Sequence, residues 1–577
     1  MSLWPPRRLA SVALLVATLT ACGLPDQHAD AQPVASSAAP LGKTVSGNYL
    51  AGRYAQQTHD YGRAAEYLGR ALTADPDNLD LARRTFLLRV SEGRIAEAME
   101  LAHRIAAVDP NSPVVPLTLL LEVVAKGDFK AAAAQALSLP KEGIQRFVSP
   151  LMIAWTDAGA GQLDEGIAAL NVLDAARGFG TLKDFHAALI ADFGGKTVAA
   201  EASYRKVHDA TAHPNWRIVD MFGNFLERQG RADEARRIYE RFRSENPDHD
   251  LVRTTLARLA AGGKPAARVT TAKDGAAEAL FDLASLLNQR ETIDLALVYG
   301  RLALFLRPDF PLAQLLVADI AEAQRHDSEA LAVYQAIDVK SPFSWTARLR
   351  AASILDSIGQ TDASVAGFKA MAAERPDQAE PLLALGNVLR GRERFKEAIT
   401  AYDGALQRIG DPQSRHWTLF YSRGVARERS GDWKEAEADL EQALHLQPEQ
   451  PSVLNYLGYS WIDRGVKLDA ALKMIARAVQ LRPNDGYIVD SLGWAYYRLG
   501  DFPNAATYLE RAIELKPEDP TINDHLGDAY WQTGRQVEAR FQWNRALQFQ
   551  PEADQVKPIE AKLDRGLEAP AKPARGG

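Results

Sequence analysis

The sequence predicts an all-α protein, a superhelical solenoid of about 14 helix-turn-helix units in two arms. Three observations predict it. A small residue recurs at steps of about 34 positions through most of the chain, followed some twelve positions later by alanine. Prolines punctuate the ends of the same units, as at Pro448, Pro483, Pro517 and Pro551, because proline lacks the N–H needed to continue a helix. Midway through the units stand Gly431-Asp432, Gly500-Asp501 and Gly534-Arg535, where glycine tolerates the positive φ of a turn between two helices.

Taken in order, the first six units carry Gly52, Phe86, Leu120, Ala154, Ala188 and Gly223 at the recurring position. Ala64, Ala98 and Ala235, with Pro76, Pro110 and Pro247, mark the ends of this stretch; the units around Leu120 and Ala154 are degenerate. A gap longer than one unit then separates Gly223 from Ala284, and Gly262-Gly263-Lys264-Pro265 through Gly275 within it reads as a linker between arms. Four units follow on Ala284, Ala318, Ala352 and Gly386, punctuated by Pro308, Pro342 and Pro376, and after an insertion around Gly410 to Ser414 come Gly424, Gly458, Gly493 and Gly527. Small residues at these places let helices approach closely, while large ones such as Tyr496, Leu509, Trp543 and Ile475 fill the space between. In Ser491-Leu492-Gly493-Trp494-Ala495-Tyr496 with Ala505, Leu509, Ala512 and Pro517, and 34 positions on in Leu526, Gly527, Tyr530, Ala539, Trp543, Ala546 and Pro551, the spacing resembles the tetratricopeptide repeat (TPR) consensus. The resemblance implies two antiparallel helices per unit. The expected organisation is a leader over 1–21, a lipidated cysteine and tether over 22–44, a first array over 45–250, a linker over 251–275, a second array over 276–552, and a capping segment with a tail over 553–577.

Composition narrows the function. One cysteine in 577 residues excludes a disulfide framework and a thiolate metal cluster. Apolar residues at 46% and charged residues at 24% are ordinary for a folded chain, and a net charge of −7 argues against a nucleic-acid partner. Arg7 and Arg8, the apolar run Leu9 to Leu19 and the small residues after it have the layout of a secretory signal. Leu19-Thr20-Ala21-Cys22-Gly23 resembles the lipobox of bacterial lipoproteins. That resemblance implies cleavage before Cys22, acylation of it, and anchoring without a spanning helix. Glycine after the cysteine resembles the outer-membrane sorting pattern, so the chain is expected in the cell envelope, facing the periplasm, on the outer membrane rather than the inner.

No His-Glu-x-x-His, phosphate loop or Gly-x-Ser-x-Gly occurs, so neither catalysis nor a metal or other cofactor is expected. His416, His445 and His525 are expected on repeat surfaces. In TPR arrays certain positions of the first helix face a concave groove. Mapped here they give Tyr421, Glu428 and Arg429; Asn455, Tyr459 and Asp463; Tyr487, Asp490, Trp494, Tyr497 and Arg498; then Asp524, Asp528 and Trp531. Rings and carboxylates together suit a protein partner with apolar anchors and basic residues. Asp490, Asp524 and Asp528 would repel a terminal carboxylate of the kind that chaperone-type TPR domains clamp. In layout, the lipobox, the tether, the long array and the segments Asp490-Ser491-Leu492-Gly493-Trp494 and His525-Leu526-Gly527-Asp528 resemble bacterial lipoproteins that recruit a carboxy-terminal processing protease. The resemblance implies a protease or cell-wall hydrolases as partners. A different class stays open: an assembly factor for outer-membrane secretion, pilus or polysaccharide export. An enzyme within Pro113 to Pro214 is disfavoured by its few clustered Asp, Glu and His residues.

Overall fold

A computed structural model of the chain describes residues 44–567 apart from 177, 247 and 248. The leader, Cys22, the tether up to 43, Pro247 and the end of the tail lie outside the described residues. The described residues hold helices and two short 3-10 turns, with no strand among them, and they divide into two compact units, 44–360 and 361–567. No helix among them is long and apolar enough to cross a membrane.

In the first unit α1 and α2 (Val45–Gln57, Tyr61–Ala74), α3 and α4 (Leu79–Ser91, Ile95–Val108), α5 and α6 (Val115–Lys126, Phe129–Ala136), α7 and α8 (Gln145–Gly159, Leu163–Ala169), α9 and α10 (Gly180–Phe193, Thr197–Asp209), and α11 and α12 (Trp216–Arg228, Ala232–Glu245) are successive pairs. A single helix α13 (Asp250–Ala260) follows, then α14 and α15 (Ala272–Leu287, Ile293–Leu306), α16 and α17 (Pro311–Ala323, Asp327–Gln335), and α18 (Ser344–Ser357). The second unit opens with α19 (Thr361–Glu374). It continues with α20 and α21 (Glu380–Gly391, Phe395–Ile409), α22 and α23 (Trp417–Arg429, Trp433–Leu446), α24 and α25 (Pro451–Arg464, Leu468–Leu481), α26 and α27 (Gly486–Arg498, Phe502–Leu515), α28 and α29 (Pro520–Gln532, Gln536–Gln548), and α30 (Ala553–Arg565). With α18 and α19 counted together in chain order, these are the expected pairs, and each recurring small position from Gly52 to Gly527 falls on a first helix.

The register has a steric cause. A Cβ on Gly527 would lie 2.4 Å from the ring of Trp543, and one on Gly223 would lie 2.4 Å from that of Tyr239, so the second helix of each pair is seated directly on the first. Gly500 has φ +81°, a conformation natural to glycine, and Asp501 beside it accepts the Asn504 N–H at 3.3 Å to start α27.

The expected linker at 251–275 is corrected. Its first part is α13, whose Val252, Leu256 and Leu259 are buried against the core, and the compact units part after Gln360 instead. α13 sits where the first helix of one more repeat belongs, but Gly262, Gly263 and Pro265 prevent a second helix. The chain runs back along α11 in extended form: the Asn224 side-chain amide donates to the Ala266 carbonyl at 2.9 Å, and Arg268 pairs with Asp220 at 2.8 Å. Thr271 and Asp274 then form a capping box that starts α14.

α14 packs against α7 and α9, and it is buried on almost every side. Its companion α15 packs on α3 and α5, so a single hydrophobic core runs from Ala55 to Ile320. The inward face of α14 carries Gly275, Glu278 and Asp282, three residues at helical spacing. A Cβ on Gly275 would meet the Trp155 ring at 2.1 Å. Trp155 Nε1 donates to His186 Nδ1 at 3.1 Å, which leaves the ring proton on Nε2, 3.2 Å from Asp282. Arg217, only 2% exposed, holds Glu278 at 2.6 Å and Asp282 at 3.0 Å between the rings of Phe185 and Phe281. The groove side of α7 and α9 is therefore occupied by the chain's own α14, while beside α11 a cavity of about 380 Å³ lined by Arg217, Asp220 and Arg268 stays open.

Candidate functional site

In the second unit the first helices α22, α24, α26 and α28 present a cavity of about 340 Å³. Tyr459, Tyr487 and Asp490 line it, as do Glu428, Arg429 and Asp463. The wall beside it is an aromatic stack: Trp494 lies on Tyr497 at 4.8 Å and on the imidazole of His525 at 4.0 Å. Arg498 pairs with Asp463 at 3.1 Å along the rim, and Arg464, paired with Glu428 at 3.1 Å, covers the ring of Trp433.

Other expected groove residues stand elsewhere. Tyr421 and Asn455 are buried, Tyr421 edge-on to Tyr456 at 5.8 Å, because the neighbouring first helix covers them. Asp524 and Asp528 both accept Lys562 Nζ of α30, at 2.8 and 2.9 Å, so the capping helix engages both and its one ammonium offsets one of their two charges. Trp531 donates to the Leu567 carbonyl at 3.0 Å beneath the residues that follow α30. Asp490 is paired with His525 at 3.0 Å, so among the described residues the cavity carboxylates without an ion-paired cation, which oppose a terminal carboxylate, are Asp519 and Glu552, from the positions that precede α28 and α30.

His525 is the main correction. It is 8% exposed, not on a surface, and its Nδ1 lies 3.0 Å from Asp490. Burial opposes its charge, but Asp490, with Asp524 and Asp528 behind it, outweighs burial and holds the imidazole above its ordinary pKa. Burial and the Asp524 charge push Asp528 up to about 6 against the pull of Lys562. Mapping of groove positions missed His525, Tyr456, Asp519 and Glu552. The signal for His525 was one place away, at Asp524.

The raised His525 has a consequence for stability. A group whose folded pKa exceeds its unfolded value stabilises the fold below the unfolded value, near 6.5, and that contribution is lost as pH rises through the folded one. Unfolding midpoints of the intact chain between pH 6 and 9 are expected to fall more steeply than those of His525→Asn. The difference should be about 2–4 °C for each kcal/mol in a unit of this size. Parallel slopes would contradict the charge assignment.

Tetratricopeptide repeat family models match residues 349–414, 421–486 and 491–555, 55–118, and 216–259, together more than half of the chain. The chain belongs to the tetratricopeptide repeat family. It is similar to the TPR repeat-containing protein PA4667 of Pseudomonas aeruginosa, 29% identical over 191 residues, which are 33% of this chain and 32% of that protein. A stretch of 132 residues is 27% identical to the general transcriptional corepressor ssn6 of Schizosaccharomyces pombe, 23% of this chain and 12% of that one. The chain thus spans a third or less of the length of these relatives. Among solved structures, that of the APC/C hetero-tetramer Cut9-Hcn1 is 14% identical, with 92% of this chain and 97% of that one covered and a TM-score of 0.38. That of YrrB, a TPR protein with an unusual peptide-binding site, is 22% identical over 33% of this chain and 97% of that one, with a TM-score of 0.27.

Proposed function

We propose that the protein is a membrane-anchored scaffold of the cell envelope. In this reading it is an adaptor that recruits a periplasmic carboxy-terminal processing protease, cell-wall hydrolases, or both. TPR arrays hold protein partners, and the observation that carries the reading is the groove of the second unit, where Tyr459 and Tyr487 stand among Glu428, Asp490, Asp519 and Glu552. Aromatic anchors supply most of the energy of such interfaces, and the carboxylate surplus selects a basic partner surface. The Leu19-Thr20-Ala21-Cys22-Gly23 lipobox supports anchoring by acyl chains, with the array facing the periplasm.

Two experiments test it. Crosslinking in cells followed by detergent extraction is expected to retain a serine protease or a cell-wall hydrolase. Recovery of secretion-pore subunits alone would replace the adaptor with an assembly factor. The Cys22→Ser chain is expected in the soluble periplasmic fraction, and its continued presence in membranes would remove the lipid anchor.

A further inference from the structure

The first unit closes on itself at a seam where the turns of its first two repeats meet α15, α16 and α17. His59, in the turn between α1 and α2, has φ +59° at a place where Gly93 and Gly500 hold the same turn in other repeats. A residue with a Cβ is strained in this conformation, and the imidazole it brings is put to use across the seam. Tyr61 gives its hydroxyl proton to Asp294 of α15, so His59 Nδ1, 2.9 Å from the Tyr61 oxygen, is the donor there. Gln324, at the end of α16, donates to the same oxygen at 3.0 Å, and the His326 ring stands edge-on to Tyr61 at 5.9 Å. Tyr61 is 3% exposed.

The second repeat meets the same helices. Arg301 of α15 donates to the Ser91 carbonyl at the end of α3, at 2.9 Å, and pairs with Glu329 of α17. Glu92, next to Ser91, lies against α2, where a Cβ on Gly62 would stand 3.2 Å from its carboxylate. The charged groups that face Glu92 are Glu329, Arg301, Asp60 and Arg94. Each of these has a partner of its own: Arg301 holds Glu329, Asp60 lies 3.5 Å from Arg63, and Arg94 holds Glu97 at 2.7 Å. Glu92 has no ion pair within 4 Å. At the seam the carboxylates of Glu92, Asp294 and Glu329 thus share one guanidinium, that of Arg301. His59 and His326 stand 3.6 Å from Asp294 and 3.9 Å from Glu329, so each adds a cation there only when protonated.

We infer that this seam is a pH-sensitive latch, which holds the first two repeats against α15 and α17 in mild acid and releases them as the pH rises past neutrality. Burial, with the charge of Glu329, pushes the Glu92 carboxyl up to about 7 against the pull of Arg301. A carboxyl whose pKa is raised in the closed form stabilises that form while protonated, and the contribution is lost as the pH rises through the raised value. Once ionised, Glu92 repels Glu329 and Asp60 and competes for Arg301. The two histidines act in the same sense, because each loses a charge that faces a carboxylate. α14 is held separately by α7 and α9, so release of the seam leaves it in place.

The test uses the full chain with Cys22→Ser, Gln57→Cys and Arg290→Cys, the last two being exposed positions close in sequence to His59 and Asp294. Nitroxide labels on the new thiols report the distance across the seam by electron double resonance. One short distance is expected at about pH 5.5 and a second, longer population at about pH 8.5, with the ratio of long to short rising about tenfold or more. Glu92→Gln, which stays neutral throughout, should cut that rise to about threefold or less. Arg301→Gln should show the longer population at both values, because it removes the guanidinium that the carboxylates share. A distance distribution that does not change with pH, or that changes as much in Glu92→Gln as in its parent, overturns the latch. So does an Arg301→Gln chain that keeps the short distance alone at the higher pH. Helical content by circular dichroism is expected to stay constant over the range, and helix lost in step with the longer distance would overturn the latch in favour of unfolding of the unit.

Discussion

Replacing Arg217 with alanine is expected to cost the N-terminal unit about 3–5 kcal/mol, the loss typical when one member of a buried ion pair is removed and its partners stay. Arg217 is the cation that faces Glu278 and Asp282 at the heart of that unit, both of them buried. Arg307 reaches Glu278 at 3.2 Å, but its side chain is 24% exposed and does not reach Asp282. Urea unfolding followed by circular dichroism should show an early transition of the size of one unit, with the remaining helix melting near its usual midpoint. A companion chain with Arg217→Met, Glu278→Gln and Asp282→Asn should recover much of the loss, because it removes the orphaned charges together. Loss of stability undiminished in that companion would assign the effect to packing of the side chain rather than to charge.

The second large effect concerns binding. Tyr459→Ala and Tyr487→Ala together are expected to weaken the partner complex by about 100-fold or more, since buried aromatic anchors are worth about 2 kcal/mol each and combine imperfectly. Both rings line the cavity and are half-buried, so their loss should leave helical content unchanged. Trp494 and Tyr497 are a poorer choice for this experiment, because their stack also supports His525 and the helix packing beneath it. Unaltered affinity in the double variant would move the binding face elsewhere.

Much of this architecture is legible in the repeat itself. Small residues such as Gly223 and Gly527 announce a close helix crossing, and Tyr239 and Trp543, sixteen places later, are the rings they receive. The turn glycines and the residues after them fix where second helices begin. What local pattern could not convey is long-range. Ala284 keeps the repeat's register, so α14 reads as one more first helix, and nothing nearby in sequence tells that it lies against α7 and α9. Arg217, Glu278 and Asp282 look like solvated charges until the fold brings them together. Likewise Asp524 and Asp528 read as groove carboxylates because Lys562, their partner, belongs to a segment whose composition suggests only a cap and a tail.

In the first array the groove along α7 and α9 is filled by the chain's own α14, and in the function proposed above the second array offers its groove to a partner. Hydrogen exchange on the chain alone and with its captured partner tests this most directly. Amides of Ala276 to Ala284 should exchange only with unfolding of the first unit and be unmoved by the partner, while those of α24 and α26 gain protection on binding. Fast exchange in α14, or its release when the partner binds, would contradict the claim.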